Sequence, residues 1–334
     1  MTNWQIFKGS GKPHNAMNRF VSESPPPPWR RFSGVAPDAG ALAVDPDLRE
    51  RFETARFQAS DKEIEVVNAA IHLRRPLLVT GKPGAGKTTL AYALAHELKL
   101  GRVLSWSITS RATLQDSLYR YDPIARLQEV NRRQQRNIAE DPDIGHFIRL
   151  GPVGTALLPT TYPRVLLIDE IDKSDIDLPN DLLHVFEEGE YEIPELSRLE
   201  DRAGVEVMPW DGRGDDDRVT IRGGRVRCAT FPFVVLTSNG ERELPPAFHR
   251  RCLRLHIASP DPDHLRRIVE SHLARLDPDL VGTMIEEFDK RRQEGVMATD
   301  QLLNALYLLS RPSTPDERTR DRVLHEILRD LGAS

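Results

Sequence analysis

The sequence has few of the features that mark secreted, membrane-spanning or cysteine-rich proteins. Only two cysteines, Cys228 and Cys252, occur in 334 residues, and they form neither a disulfide framework nor a metal-ligand pattern. The longest strongly apolar runs, 165–168 and 233–236, are far shorter than the roughly 20 residues that cross a bilayer. The amino terminus lacks a basic segment followed by an apolar stretch. We therefore expect a cytoplasmic protein with no membrane segment and two reduced, structural cysteines.

A strong excess of charge of one sign is also missing. The chain has 46 basic and 51 acidic residues, which give a formal net charge of -5, so bulk attraction to nucleic acid is not indicated. A local arginine cluster at Arg132, Arg133 and Arg136 keeps nucleic acid as an unlikely partner rather than an excluded one. Hydrophobic residues at 39% and charged residues at 29% are typical of folded proteins, and the length suits about two domains.

The first 56 residues differ in texture from the rest of the chain. They include four consecutive prolines at 25–28 and few periodic apolar positions, which predicts an extended arm. Five aromatic residues are scattered through it: Trp4, Phe7, Phe20, Trp29 and Phe32. Two interpretations stay open, in which these rings pack on their own domain or dock on a neighbouring subunit or partner.

Residues 57–259 alternate between helical and strand patterns, whereas residues 260–334 are helical throughout. Such alternation predicts an α/β domain with a parallel sheet covered by helices on both faces. Two inserts interrupt it, near 121–163 and 196–230, and the second has hairpin-like turn residues at 215–217 and 223–224. The predicted strands are 77–79, 103–108, 165–168 and 233–237, and the predicted helices are 61–73, a helix after Thr88, 180–187, 263–276, 280–292, 300–309 and 315–331.

A phosphate-loop motif lies between a predicted strand and a predicted helix. Its eight residues fit the pattern GxxxxGK[ST] in full. Backbone N–H groups of such a loop surround phosphates, Lys87 reaches the β- and γ-phosphates, and Thr88 offers a hydroxyl to magnesium. The predicted nucleotide-binding residues are Gly81, Lys82, Pro83, Gly84, Ala85, Gly86, Lys87, Thr88 and Thr89.

The buried strand at 165–168 ends in a pair of carboxylates, Asp169 and Glu170. We expect Asp169 to hold magnesium together with Thr88, and Glu170 to polarise the attacking water. Asp172 and Asp175 follow closely, and we expect them to cap or flank the next helix rather than to bind metal.

Residues 57–309 resemble an AAA+ ATPase, and the stretch LLIDEIDKSDIDLPNDLLHVFEEGEYEIPEL is similar to the MoxR family. This resemblance implies an α/β P-loop sheet followed by a helical lid. It implies that Asn239 is the sensor 1 residue, that Arg251, or else Arg250, is the arginine finger, and that the two inserts reach toward substrate or partner. The matching position for a sensor 2 arginine, in MATDQ at 297–301, has none. Either Arg291 or Arg292 then approaches the phosphates, or the lid contributes little charge.

The resemblance implies magnesium-dependent ATP hydrolysis in a ring of about six protomers that remodels or activates a protein partner. The arm and the stretch LTSNGERELPPAFHRRC are similar to ATPases of ternary systems with von Willebrand A-domain proteins, which suggests such a protein as the partner. Two alternatives stay open: a nucleotide-gated signalling or defence switch, and a nucleic-acid motor. ATP, rather than GTP, is implied by the resemblance, since the base pocket expected near Phe57 and Gln58 has no readable code.

Overall fold

A computed structural model of the chain describes residues 4–36, 57, 59–199, 204–273, 276–294, 297–310 and 317–328. The helices in these ranges are α1 (Ala16–Glu23), α2 (Asp61–Leu73), α3 (Lys87–Glu97), α4 (Leu114–Leu118), α5 (Pro123–Gln135), α6 (Pro152–Ala156), α7 (Leu178–Glu188), α8 (Pro194–Ser197), α9 (Pro246–Arg251), α10 (Pro262–His272), α11 (Pro278–Glu294), α12 (Thr299–Leu309) and α13 (Glu317–Ile327). The strands are β1 (Leu77–Thr80), β2 (Leu104–Ser107), β3 (Tyr119–Tyr121), β4 (Ile148–Leu150), β5 (Val165–Asp169), β6 (Glu190–Glu192), β7 (Val205–Val207), β8 (Val219–Ile221), β9 (Arg225–Arg227), β10 (Phe233–Ser238) and β11 (Leu253–His256).

Five parallel strands form the central sheet in the order β11-β1-β10-β5-β2. Alternate residues of the three inner strands, β1, β10 and β5, enter different cores, because side chains alternate across a sheet. On β5, for example, Val165 and Leu167 pack in the same core as α2 and α3, whereas Leu166 and Ile168 pack in the core that contains α6 and α7. The predicted α/β fold with helices on both faces is confirmed.

Small antiparallel sheets occupy both predicted inserts. In the first, β3 pairs with β4, and α5 lies between them in the chain. Its arginines Arg132 and Arg133 both pair with Glu129 on the same helix. In the second, β7 pairs with β8 around a 3-10 turn at Asp215–Asp217, and Gly223 and Gly224 then turn the chain with positive φ. The hairpin tip and the turn lie where the sequence predicts them.

The carboxyl-terminal helices α10 to α13 enclose a separate apolar core that includes Leu265, Ile285, Phe288 and Leu302. These four helices lie in the four segments predicted to be helical. α13 is shorter than expected, and parts of the predicted 315–331 segment lie outside the described residues. No helix in the described ranges is long and apolar enough to cross a bilayer.

The arm differs from the predicted extended segment, because residues Ala16–Glu23 form a two-turn helix. Isolated helices of this length are unstable in water, and burial of Met17 and Phe20 against the α2–α3 side of the sheet supplies the missing stabilisation. Phe7 is fully buried in the same core and Phe32 packs on the other one. For these rings the interpretation of packing on their own domain is correct, whereas Trp29 is 76% exposed.

Two buried polar side chains attach the arm to the helices that flank the sheet. Asn68 on α2 accepts hydrogen bonds from the amides of Ile6 and Phe7 at 2.6 and 2.9 Å and donates to the Phe7 carbonyl at 2.7 Å. Glu97, the last residue of α3, accepts from the Lys8 amide at 2.6 Å and lies 3.1 Å from His14 Nε2. Both side chains are fully buried, so the arm completes their hydrogen bonding.

Candidate functional site

Three strands of the sheet end together at one edge and bring the predicted site residues there. β1 is level with β10, with Thr80 opposite Ser238, and β5 lies on the other side of β10. The phosphate loop follows β1, the two carboxylates end β5, and Asn239 follows β10. The carboxyl edge of a parallel sheet is where ligands of such folds bind.

The loop after β1 has the backbone that phosphate binding requires. Gly84 and Gly86 have φ values of 72° and 86°, a region in which other residues are strained, and Gly86 directly precedes α3. Lys87 Nζ donates to the carbonyls of Gly81 and Lys82 at 2.8 and 2.9 Å. The loop thus bends around the ammonium and places the amino terminus of α3 beside it.

Burial and nearby carboxylates act in opposite directions on the pKa of the Lys87 ammonium. Burial lowers the pKa of this group, and the nearby carboxylates Asp169, Asp172 and Glu170 oppose that effect. Its third hydrogen bond goes to Asn239 Oδ1, at 2.7 Å. A cation is therefore fixed between the phosphate loop and the end of β10.

Asp169 is held by two hydroxyl groups. Thr88 Oγ1 donates to Asp169 Oδ1 at 3.0 Å, and Thr237 Oγ1 donates to the same oxygen at 2.5 Å. Thr237 is fully buried on β10, and its hydroxyl also accepts from the backbone amide of Glu170 at 2.9 Å. One hydroxyl thus positions both carboxylate-bearing residues.

Glu170 has an unusual backbone and two bonded carboxylate oxygens. Its φ of 59° and ψ of 50° are left-handed, a strained state that persists only where the surroundings impose it, often at functional sites. Asn239 Nδ2 donates to Glu170 Oε1 at 3.1 Å, and Lys173 Nζ pairs with Oε2 at 2.7 Å. The 3-10 turn Ile171–Lys173 places Lys173 on the same side as Glu170, since residues three apart are aligned in such turns.

Asp172 binds the backbone of the segment after β10, a contact that the sequence does not predict. It is 2% exposed, and its Oδ2 accepts from the amides of Asn239 and Glu241 at 3.1 and 2.9 Å. It is not the helix cap that the sequence predicted, because α7 has no side-chain cap. Asp175 accepts from the amide of Ile176 ahead of that helix, so it flanks α7 as expected.

Residues 76–252, more than half of the chain, match the AAA domain family of the dynein-related subfamily. This chain belongs to that AAA family. Membership indicates P-loop ATPase activity, in agreement with the loop and the strand-end carboxylates described above. Comparison with curated proteins gave no match.

In this AAA ATPase the site lies in a cleft of about 660 Å³ between the sheet and the lid helices. Phe57 lines the cleft as predicted, whereas Gln58 lies outside the described residues. From the lid, α10 contributes His264, Ile268 and His272 at four-residue intervals, which places them on one face. Gly81 and Lys82 of the predicted loop are not part of the cleft lining and bind Lys87 through their carbonyls instead. The other seven predicted residues line the cleft: Pro83, Gly84, Ala85, Gly86, Lys87, Thr88 and Thr89.

The lid also touches the phosphate loop directly. A Cβ atom on Gly84 would lie 2.7 Å from the Cβ of Ala298 and 2.8 Å from the amide of Thr299. No larger residue fits at this position without displacing the lid or the loop. The first turn of α12 therefore closes one side of the ATPase cleft.

The lid carries neither of the arginines proposed for sensor 2 into the cleft. Arg291 donates to the carbonyl of Leu328 at 3.3 Å, and Arg292 donates to that of Pro260 at 2.6 Å. Asp300 of α12 lines the cleft instead. Of the two alternatives raised by the sequence, the described contacts favour a lid that contributes little positive charge.

Arg250 and Arg251 lie at the opposite edge of the sheet from the ATPase cleft. They end α9, which leads into β11, and β11 runs parallel to β1. Arg75, just before β1, donates to the carbonyls of both. Six residue steps of extended chain lead from Arg75 to Gly81, the first residue of the phosphate loop, about 20 Å at 3.3 Å per residue. Arg251 pairs with Glu187 at the end of α7, so neither arginine is near the cleft of its own chain.

Proposed function

We propose that this AAA ATPase hydrolyses ATP with magnesium in a ring whose protomers share their active sites. The observation that carries the proposal is the connected set of contacts from Lys87 through Asn239 to Glu170, at 2.7 and 3.1 Å. Those contacts join the phosphate loop, the predicted sensor 1 residue and the predicted base at one sheet edge. We further propose that residues 57–259 form the nucleotide-binding domain and residues 260–334 the lid.

The residues present fit a nucleotide with magnesium. Thr88 and Asp169 supply the hard oxygen ligands that magnesium prefers, and magnesium bound with a nucleotide usually has only one or two protein ligands. This agrees with the described part of the chain, in which no three His, Cys, Asp or Glu side chains gather as a metal cluster. When bound, magnesium neutralises charge on the phosphate oxygens.

The protein's own groups then have separate roles in the proposed reaction. Lys87 neutralises the terminal phosphates, and the loop amides bind them. Glu170 accepts the proton of the attacking water, while the Asn239 amide fixes the position of that carboxylate. The Thr237 hydroxyl fixes the positions of the Asp169 carboxylate and the Glu170 backbone through its two hydrogen bonds. Glu170 must exchange its contact with Lys173 for the water, because Asn239 and Lys173 already occupy its two carboxylate oxygens.

Arg251 acts on the next protomer in this proposal. Its backbone is held by Arg75, which lies about 20 Å of extended chain before the phosphate loop, so the guanidinium is directed away from the phosphates of its own chain. A guanidinium stays charged and forms paired bonds to phosphate oxygens, which suits charge that develops in the transition state. Hydrolysis would then depend on head-to-tail assembly, and heterologous contacts of this kind form a ring when the rotation between protomers closes.

Mixing two inactive variants tests the shared site. Lys87→Ala removes the phosphate contact but keeps Arg251, and Arg251→Ala keeps the cleft but removes the finger. Each variant alone should lose ATP turnover, and a one-to-one mixture should recover part of it, because some interfaces combine an intact cleft with an intact finger. Arg250→Ala tests the alternative finger, and it should retain ATP turnover if Arg251 is the finger. A mixture as inactive as its components, although assembled, would contradict sharing.

We propose a MoxR-like role for the ring, in which a protein partner, with a von Willebrand A-domain protein as the first candidate, is remodelled or activated. The support is the resemblance of residues 166–196 to that family. Pull-down with such a protein encoded nearby, in the presence of the slowly hydrolysing Glu170→Gln variant and ATP, tests it. Absence of ATP-dependent binding would refute the partner without affecting the ATPase.

A nucleotide-gated switch is the second candidate function. Both carboxylate oxygens of Glu170 are bonded, to Asn239 and Lys173, and this favours slow turnover in the isolated chain. Glu170→Gln distinguishes the two functions in cells. A remodelling motor held in the ATP state loses its function, whereas a switch whose ATP state is active stays on.

A further inference from the structure

Trp29 is a large apolar side chain presented to solvent. It is 76% exposed, in a short 3-10 turn, Pro28–Arg30, that follows the run of prolines. Pro27 has φ of -50° and ψ of 146°, close to polyproline II geometry. Tryptophan is enriched at protein contacts and frequent among residues that dominate binding energy.

The residues after Trp29 fix it in place. Arg30 is 8% exposed, donates to the Phe186 carbonyl at 2.8 Å and lies over the Phe231 ring at 5.2 Å. The Phe32 ring stacks on the same ring at 5.4 Å. A tryptophan held on an anchored segment loses little conformational entropy when it binds a partner.

The anchor of Trp29 adjoins the predicted arginine finger. Phe186, whose carbonyl binds Arg30, directly precedes Glu187, and Glu187 pairs with Arg251. Burial and the charge of Arg75 lower the pKa of the Arg30 guanidinium, and Glu187 opposes that effect. The residue after Trp29 and the predicted finger therefore contact the same end of α7, at Phe186 and Glu187.

Acidic residues follow Glu170, which lines the nucleotide cleft. Helix α9 ends in basic residues, His249, Arg250 and Arg251. The loop after the 3-10 turn Ile171–Lys173 contains two exposed acidic residues, Asp175 and Asp177.

Between these two aspartates lies Ile176, which is 72% exposed. Opposite charges on two surfaces favour and orient their association. Each region thus combines one exposed apolar residue with charged groups: Arg250 and Arg251, the latter paired with Glu187, in one, and Asp175 and Asp177 in the other.

We propose that Trp29 docks on a second copy of this chain, against the loop that carries Ile176 beside the neighbour's ATPase cleft. The inference rests on the proposed ring, because entry of Arg251 into the neighbouring cleft brings these two faces together. The arm would then act in assembly as well as in packing on its own domain. Its exposed tryptophan would supply an apolar centre, and the charged groups would form the rim.

Assembly of the Glu170→Gln protein with ATP and magnesium, followed by light scattering, tests the contact. The parent should form rings, and Trp29→Ala on this background should require at least tenfold more protein to assemble. Val35→Ser is the control, since Val35 lies in the same arm and is 85% exposed. Binding of a fluorescent ATP analogue should be equal in all three proteins.

Cross-linking tests the neighbouring surface itself. Trp29→Cys and Ile176→Cys proteins, mixed with ATP, should give a covalent dimer with a short bismaleimide, and either variant alone should not. The native cysteines do not interfere, because both are buried. Rings of the parent that persist with Trp29→Ala, or that give no cross-link, would overturn the Trp29 contact alone. A parent that binds nucleotide but stays monomeric would refute the ring and this contact together.

Discussion

Removal of the Thr237 hydroxyl tests whether this group positions Asp169 and Glu170 for ATP hydrolysis. It donates to Asp169 Oδ1 at 2.5 Å and accepts from the Glu170 amide at 2.9 Å. Thr237→Val keeps the branched shape but removes both hydrogen bonds. Because Thr237 is fully buried, no water replaces the lost hydroxyl without a rearrangement.

The effect on catalysis follows from the bond to Asp169, whereas the unpaired amide of Glu170 lowers the free energy of unfolding. A hydrogen bond to a charged group contributes about 1.5–3 kcal/mol, and a buried unpaired amide costs about 1–3 kcal/mol. Asp169 keeps its bond from Thr88 at 3.0 Å, so we take the low end for the carboxylate. A loss of about 1.4 kcal/mol corresponds to a factor of ten. We therefore expect kcat/KM to fall about tenfold.

Steady-state ATP turnover, measured over a series of magnesium concentrations, is the assay. The variant should need more magnesium for half-maximal rate, and Thr237→Ser should recover most of the activity because it restores the hydroxyl. Thr230→Val is the matched control. Thr230 precedes β10 at its other end, and its hydroxyl donates to the Thr161 carbonyl at 3.0 Å. That variant should leave kcat/KM unchanged.

A Thr237→Val protein with kcat/KM and magnesium dependence within twofold of the wild type would refute this reasoning. The positions of Asp169 and Glu170 would then be set by the backbone of β5 alone. Equal losses in Thr237→Val and Thr230→Val would refute it too, since the effect would then reflect general loss of stability.

Three further predictions concern other parts of the protein. Asn68→Ala should lower the free energy of unfolding by about 3 kcal/mol in denaturant titrations, because three buried backbone groups of the arm lose their partner at about 1 kcal/mol each or more. Lys173→Gln should raise basal kcat by up to about fivefold with KM unchanged, because the ion pair that restrains Glu170 is partly exposed and contributes at most about 1 kcal/mol. Burial raises the pKa of Cys228 and Cys252 to about 12, so at pH 8 neither thiol should react with a disulfide reagent until the protein unfolds.

Each of these has a control and a contrary outcome. For the arm, Asn18→Ala on the exposed side of α1 should change the unfolding free energy little, and equal effects at both positions would contradict the buried bonds. Lys173→Arg should retain the wild-type rate, whereas a lower kcat in Lys173→Gln would mean that the ammonium assists Glu170. Rapid labelling of the folded protein would show that the thiols are accessible as thiolates.

Local motifs explain why much of the site could be predicted. The phosphate loop is a contiguous pattern, and the pair at Asp169 and Glu170 directly follows an apolar strand. Their meeting with Asn239 follows from the parallel sheet, whose strands end at one edge. The loop and the carboxylate pair need only local motifs and the order of elements along the chain, whereas the prediction of Asn239 rests on the resemblance to AAA+ ATPases.

Contacts between distant residues explain what the sequence did not show. Thr237 is a polar residue at the end of an apolar strand, and nothing local connects its hydroxyl with Asp169, 68 residues earlier. The short helix α1 was missed because two turns are unstable alone, and only the burial of Met17 and Phe20 makes it form. The buried bonds of Glu97 likewise join segments that the sequence separates.

Helix α3 begins in the phosphate loop and ends at Glu97, which binds the arm. The arm is therefore synthesised before the residues that bind it. Phe7 is synthesised 61 residues before Asn68, and Lys8 is synthesised 89 residues before Glu97. At about 5–20 residues per second, the apolar arm waits roughly 4–18 seconds at the ribosome before its two anchoring side chains exist. During that interval the apolar side chains of the arm lack their binding partners on α2 and α3. A growing chain should therefore bind chaperones through the arm until α3 is complete.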